Sequence, residues 1–184
     1  APENLTEIVT TLSPSLQVII KETLNNSNNL FADTIIRYLG RKFGDNDSFE
    51  ESVLSEERIL DNFLGIDFSK IQVMDGSGLS RRNFISPRFF CHYLAQMSRT
   101  DVFEAFLEAL PSQGYGTLAD MPFLSNHYIV KAKSGSLNWV RCYVGYLIPN
   151  NPKEDSLCFA IMANNFTCPQ SRVRTVIYNF LNKF

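Results

Sequence analysis

Four consecutive residues, Lys133-Ser134-Gly135-Ser136, have the types that bind an anionic or peptide-like ligand, and they lie in a predicted strand. A lysine on a sheet face is ordinarily a solvated charge, and a glycine weakens a strand, so strand formation alone does not explain this pattern. Glycine does suit a strand where the backbone of a ligand must approach closely. The pattern therefore predicts that Lys133, the Ser134 hydroxyl and nearby main-chain N–H groups face such a ligand.

Two other polar segments have simpler local interpretations when each is taken alone. Ser27-Asn28-Asn29 connects two predicted helices, where Ser and Asn are usually turn formers, and Asn29 could cap the helix that starts at Leu30. The segment from Asp75 to Arg81 contains Gly76 and Gly78 and predicts a tight turn with positive φ. It does not contain the G-x-G-x-x-G pattern of a dinucleotide site.

Apolar periodicity and capping residues predict helices throughout the first half of the chain. Ser13 and Pro14 are expected to start the first helix, which ends near Asn26, and Gly40 is expected to end the second as its C′ residue. The spacing predicts a third helix from Phe49 to Leu64, and Ser86-Pro87 starts a fourth that reaches about Met97. A fifth helix is expected up to Leu110, with Asp101 and Glu104 as a capping box.

The second half changes to a period of two, which predicts three antiparallel strands at 128–137, 139–148 and 156–162. A last helix follows, with one predicted apolar stripe of Val173, Val176, Ile177, Phe180 and Phe184. This order indicates an α+β fold in one structural unit over 1–184, with a helical region at about 13–110 and the sheet plus terminal helix at about 128–184. Three strands leave two open edges, and pairing of two copies there, as a homodimer, is a hypothesis.

Composition narrows the possible partners and compartments. A net charge of -2 and a pI near 5.7 give no cationic field, so nucleic-acid binding is not expected. No apolar run approaches the ~20 residues of a transmembrane helix, and the N-terminus has no signal-peptide pattern. Four cysteines without C-x-x-C spacing and two histidines predict no metal site and no cofactor; buried free thiols are favoured, and a disulfide stays open.

The three polar segments become informative when they are taken together, in their order along the chain and with the residues on either side of each. Ser-x-Asn followed by Lys-Ser-Gly, together with the residues around them, closely resembles the D-alanyl-D-alanine carboxypeptidase/endopeptidase family of class C low-molecular-mass penicillin-binding proteins. The resemblance extends from about Ser13 to Phe184, and its three core segments are 27–33, 75–83 and 133–137. It implies the C-terminal part of the penicillin-binding protein/β-lactamase-like transpeptidase fold, a periplasmic or other extracytoplasmic location, and peptidoglycan D-Ala-D-Ala peptides and β-lactams as ligands.

The resemblance also implies a role for each motif residue. Ser27 would relay a proton toward the leaving amine, and Asn29 would hydrogen-bond the substrate amide. Lys133 would add positive charge near the terminal carboxylate and tune Ser27. The Ser134 hydroxyl would bind that carboxylate beside Gly135, and the Ser136 N–H would form half of an oxyanion hole.

One motif of the family does not occur in these residues: the Ser-x-x-Lys sequence whose serine attacks the substrate. No lysine of the chain has a serine three positions before it. Because this motif precedes Ser-x-Asn in the family, we expect it to lie in a segment outside this chain, and we expect the chain alone to form no adduct with penicillin. The main alternative is a non-catalytic protein of the same fold that binds peptidoglycan or a partner; a related β-lactamase is a third interpretation.

Overall fold

The structure is a computed structural model that describes residues 8–122 and 127–184. In these residues it has six α-helices and one three-stranded sheet. The helices are α1 Leu16–Asn26, α2 Asn29–Phe43, α3 Phe49–Leu64, α4 Pro87–Met97, α5 Phe103–Ala109 and α6 Gln170–Leu181. The strands are β1 Tyr128–Leu137, β2 Val140–Pro149 and β3 Leu157–Asn164, antiparallel in the order β1-β2-β3. The predicted α+β class is confirmed.

The sheet separates two apolar layers because side chains alternate along each strand. On one face Ala132 and Tyr143 pack against α6, where Ile177 is buried. On the other face Tyr146 packs with Leu94 of α4 and Leu110, which follows α5. Lys133 therefore lies on the α4–α5 side of the sheet, and the residues next to it in β1 point toward the α6 side.

Two helices, α1 and α5, begin differently from the prediction. The α1 helix begins at Leu16 and not at Pro14, because the Ser15 hydroxyl accepts the N–H of Val18 and acts as the N-cap. The predicted capping box of the fifth helix is wrong. The N-cap of α5 is Val102, no side chain caps its first turn, and the N–H of Phe103 donates to the Thr100 carbonyl in a preceding turn.

Gly40 does not end α2, which continues to Phe43. A Cβ atom at Gly40 would lie 2.5 Å from Ser52 Oγ and 2.9 Å from the Asn46 carbonyl oxygen. Gly40 is therefore present because α3 approaches α2 closely at this point. The predicted C′ role was wrong because the reason for this glycine is a tertiary contact and not a helix end.

Substituting Gly40 with alanine is expected to destabilise the protein by about 1–3 kcal/mol through overpacking. Helix propensity alone predicts the opposite sign, because alanine is favoured over glycine by about 1 kcal/mol in a helix interior. Urea unfolding of Gly40→Ala measures the difference, and the double variant Gly40→Ala/Ser52→Gly should recover part of the loss. A stabilised single variant would contradict the proposed contact.

The predicted stripe of the last helix is only partly right. Val173 and Ile177 are buried against the sheet, but Val176 and Phe180 are exposed. Successive residues of a helix are separated by about 100°, so the sheet covers one side of α6, where Tyr178 and Leu181 are also buried, and leaves Val176 and Phe180 in solvent. Phe184 lies beyond the end of α6 and is also exposed.

The four cysteines are free thiols, and each is half-buried rather than buried as expected. The described residues contain no helix that is both long and apolar enough to cross a membrane.

Candidate active site

Ser27 lies at the junction of α1 and α2 in a backbone conformation that is unusual for serine. It is the C-cap of α1 with φ 52° and ψ 49°, and its N–H donates to the Thr23 carbonyl. Non-glycine residues in this left-handed region cost roughly 1–3 kcal/mol and are often found at functional sites. The conformation leaves Ser27 exposed at the surface that faces β1.

Asn28, and not Asn29, caps α2. The Asn28 side chain accepts the N–H of Phe31 at 3.1 Å. Asn29 is the first residue of α2, is exposed, and has no hydrogen bond from its side chain to any residue of the described ranges. Its amide is therefore free to donate to and accept from a ligand beside Ser27.

Lys133 reaches from β1 to Ser27, although 106 residues separate them in the sequence. Its Nζ donates to Ser27 Oγ at 2.9 Å and to the Ser134 carbonyl oxygen at 2.6 Å. The described residues place no carboxylate within ion-pair distance of this ammonium group. The structure thus brings together the two polar motifs that the sequence separates.

The environment of Lys133 makes its ammonium group unusually acidic. The pKa of Lys133 is lowered from 10.5 to about 8, mainly by burial and to a lesser extent by the nearby positive charge of Arg141. Both causes disfavour the charged form because the group is partly desolvated and lies near a like charge. A lysine with this pKa can exchange a proton near neutral pH.

The remaining residues of the Lys-Ser-Gly segment lie on the free edge of the sheet. Gly135 and Ser136 are exposed. Within the described part of the chain, the outer side of β1 is covered up to Ala132, where Ser112 forms an isolated bridge with Lys131 and the Ala132 N–H donates to the Pro111 carbonyl oxygen, and it is open beyond that point. A Cβ atom at Gly135 would contact only Cys142 Cβ, at 3.8 Å, so the space beside it is open. Ser134 is paired with Tyr143 and points to the face opposite Lys133. The two side chains therefore flank the strand edge from its two sides.

The Asp75–Asn83 loop is a structural connector, as its turn residues predicted. Gly78 has the expected positive φ, 77°, and the Asp75 carboxylate accepts the N–H groups of Gly78 and Ser80. Asp33 of α2 accepts the N–H groups of Gly76 and Ser77 at 3.0 and 2.9 Å. The loop is therefore fixed to the helix that begins directly after Ser27-Asn28.

The same loop also touches the hairpin that ends β1. The Arg81 guanidinium donates to the Asn138 carbonyl oxygen at 3.4 Å. Sequence reasoning did not single out the connecting role of Asp33 or the position of Arg141 beside Lys133. The role of Asp33 and the position of Arg141 both depend on contacts between residues far apart in the sequence. Neither the residue types nor their spacing predicts these contacts.

The sequence profile of the D-Ala-D-Ala carboxypeptidase 3 (S13) family matches residues 1–182. The chain belongs to this family. The predicted resemblance is thereby confirmed. The chain is 30% identical over 176 residues to penicillin-sensitive carboxypeptidase A of Dictyostelium discoideum, covering 90% of this chain and 33% of that protein. It is 28% identical over 161 residues to the D-alanyl-D-alanine carboxypeptidase DacB of Haemophilus influenzae, covering 85% of this chain and 33% of the relative.

A solved structure of penicillin binding protein 4 (dacB) from Haemophilus influenzae has the same fold. The TM-score is 0.75 at 25% identity, and the match covers 90% of this chain and 38% of that one. A second structure of that protein, in complex with a β-lactam, matches with a TM-score of 0.73 at 25% identity over 90% of this chain and 40% of that one. The chain spans about a third of the length of the curated relatives it matches.

Proposed function

We propose that the full-length protein is a serine-type D-Ala-D-Ala carboxypeptidase/endopeptidase that acts on peptidoglycan stem peptides through an acyl-enzyme. The observation that supports this most strongly is the 2.9 Å contact between Lys133 Nζ and Ser27 Oγ in a chain of this family. Residues 1–184 would supply two walls of the site. The attacking serine would come from a Ser-x-x-Lys motif outside them, because no such sequence occurs within them.

Each motif residue would act on a different atom during acylation. The attacking oxygen adds to the carbonyl carbon of the penultimate D-Ala, and the Ser136 N–H stabilises the oxyanion that forms. The C–N bond then breaks, and Ser27, hydrogen-bonded to Lys133, relays to the leaving amine the proton that the attacking hydroxyl gives up, so that Ser27 ends the step protonated. Asn29, whose side chain is not used as a helix cap, would hold the substrate amide. Water then attacks the ester carbonyl carbon, and the attacking serine leaves with the proton that the water loses.

The free edge of β1 would hold the end of the substrate. Gly135 leaves room for a peptide to lie against the strand, in the manner of an added strand. Lys133 and the Ser134 hydroxyl, on the two sides of this edge, would bind the terminal carboxylate. This arrangement would admit β-lactams in the same place as the peptide, and it implies an extracytoplasmic location where peptidoglycan is available.

Release of D-alanine tests the proposed activity. The full-length protein is incubated with a short peptide ending in D-Ala-D-Ala, and free D-alanine is measured with a D-amino acid oxidase assay. We expect release that a stoichiometric amount of penicillin abolishes. Binding of the peptide without release would indicate a non-catalytic protein of the same fold, and rapid repeated turnover of a chromogenic cephalosporin would indicate a β-lactamase.

The depressed pKa of Lys133 predicts a pH dependence of substrate affinity. Below pH about 8 the group is charged and attracts a carboxylate, and above that value it is neutral, whereas an ordinary lysine would stay charged to about 10.5. The KM for a D-Ala-D-Ala peptide should therefore rise about tenfold between pH 7 and 9.5. Steady-state kinetics across this range measure it, and a KM that stays constant to pH 9.5 would contradict the assignment.

Gly135→Ala is expected to impair substrate binding without affecting stability. The added methyl group would make only an ordinary contact with Cys142, and the φ of Gly135 is not positive, so the strand should tolerate alanine. The methyl group would, however, point to the Lys133 side of the edge and occupy the space proposed for the peptide. We expect KM to increase about tenfold or more with an unchanged thermal midpoint, and equal losses of stability and activity would argue against an open ligand position.

A further inference from the structure

Arg141 lies in β2, the strand paired with the one that carries the proposed carboxylate-binding Ser134, but it has no function in the proposed acylation mechanism. Arg141 in β2 is paired with Ser136 in β1. Its side chain therefore lies on the same face of the sheet as the side chains of Ser134 and Ser136. Lys133 lies on the opposite face. The two cations therefore lie on opposite faces of the sheet, near enough for the charge of Arg141 to act on Lys133.

The guanidinium of Arg141 is held in place by aromatic residues. It lies over the Tyr143 ring, 4.8 Å from the centroid, and its Nε–H donates to the Tyr143 hydroxyl at 2.9 Å. The Nη2 group also donates to this hydroxyl. Tyr143 is buried, and its hydroxyl lies 3.2 Å from that of Tyr178 in α6. These contacts use two of the five N–H donors of the guanidinium and leave three for a ligand.

In the described residues, no acidic side chain forms an ion pair with Lys133 or Arg141. The three strands and α6 contain no Asp or Glu, but they contain five basic residues, Lys131, Lys133, Arg141, Arg172 and Arg174. Within the part of the chain that the structure describes, Arg174 pairs with Asp120, whereas neither Lys133 nor Arg141 has a carboxylate within ion-pair distance. Although the net charge of the chain is -2, this end of the sheet is positive and suited to an anion.

We propose that Arg141 is a substrate-positioning residue whose guanidinium provides the second positive charge for the C-terminal carboxylate of a peptide bound along β1. This inference rests on the proposed carboxypeptidase function. A guanidinium can bind a carboxylate through two parallel N–H donors, and its fixed position on Tyr143 reduces the entropy lost on binding. The closeness of Arg141 to Lys133 is also consistent with the lowered pKa of that lysine.

The test compares two peptides that differ only in this carboxylate. The full-length protein and its Arg141→Gln, Arg141→Lys and Arg172→Gln variants are assayed with a D-Ala-D-Ala peptide and with its C-terminal amide. We expect Arg141→Gln to raise KM for the acid about tenfold, to change kcat less than about threefold, and to leave kcat/KM for the amide unchanged. Arg141→Lys keeps the charge but loses the paired donors and the fixed position on Tyr143, so its KM for the acid should lie between those of wild type and Arg141→Gln. Arg172 is exposed on α6, and its variant should resemble wild type.

Two results would overturn the inference while leaving the proposed function intact. One is an Arg141→Gln variant with the wild-type KM for the acid. The other is an equal loss for the acid and the amide, which would mean that Arg141 only supports the packing of Tyr143. A wild-type protein that neither releases D-alanine nor reacts with penicillin would instead refute the proposed function and this inference with it.

Discussion

Substitution of Lys133 with methionine is expected to slow acylation of the full-length protein by a labelled penicillin about 10²–10³-fold. The ammonium group is the hydrogen-bond partner of Ser27 Oγ at 2.9 Å, and no other cation occupies that position in the described residues. Methionine keeps most of the volume of the side chain but cannot hold or transfer a proton. The rate is measured by stopping the reaction at intervals and quantifying the labelled protein on a gel.

Lys131 offers a matched control for this variant. It lies two residues earlier in β1 on the same face, but its Nζ donates to the Leu107 carbonyl oxygen and does not contact Ser27. Lys131→Met removes the same charge from the same strand, and we expect its acylation rate to stay within about threefold of wild type. Similar losses in both variants would mean that general charge, and not the contact with Ser27, controls the reaction.

Ser27→Gly is expected to stabilise the protein and to inactivate it. The φ of 52° at Ser27 is unfavourable for a residue with a Cβ atom, so glycine should raise the free energy of unfolding by about 1 kcal/mol. Loss of the hydroxyl removes the proposed proton relay, and acylation should slow about 10²-fold or more. Thermal unfolding and the penicillin-labelling rate measure the two effects on the same preparation.

Ser27→Ala separates backbone strain from chemistry. Alanine keeps the Cβ atom and therefore the strain, but it lacks the hydroxyl, so we expect slow acylation without a gain in stability. If either variant were acylated at the wild-type rate, the relay role of Ser27 would be wrong. If Ser27→Gly were less stable than wild type, the claim that the left-handed conformation of Ser27 destabilises the protein would be wrong.

Helix ends were predicted at the correct residue where a capping residue or a glycine lies directly beside the helix. The predicted α3 begins after Ser48 and ends before Gly65, as it does in the structure, and α4 begins at the predicted Ser86-Pro87 cap. The end of α2 could not be predicted, because Gly40 is explained by the distant Ser52. Local sequence therefore predicted both ends of α3 and the start of α4, but it chose Ser13 instead of Ser15 as the cap of α1 and predicted a capping box that α5 does not have.

For the candidate site, too, the sequence predicted the features carried by local motifs and not those that depend on tertiary packing. The order of Ser27 and Lys133 and the residues around them pointed to one family, and the family profile confirms that membership. Neither spacing nor composition could give the distance between the two side chains or the pKa of Lys133, because both depend on how α1 packs against the sheet. The position of Arg141 likewise depends on the register of β1 and β2.

The attachment site of penicillin on the full-length protein tests the central claim most directly. The protein is acylated to completion, digested, and mapped by tandem mass spectrometry. We predict a single adduct on the serine of a Ser-x-x-Lys sequence outside residues 1–184, and the same adduct formed far more slowly in the Lys133→Met variant. An adduct on any residue of these 184, or no adduct in a folded full-length protein, would contradict a site whose two walls, but not its nucleophile, lie in this chain.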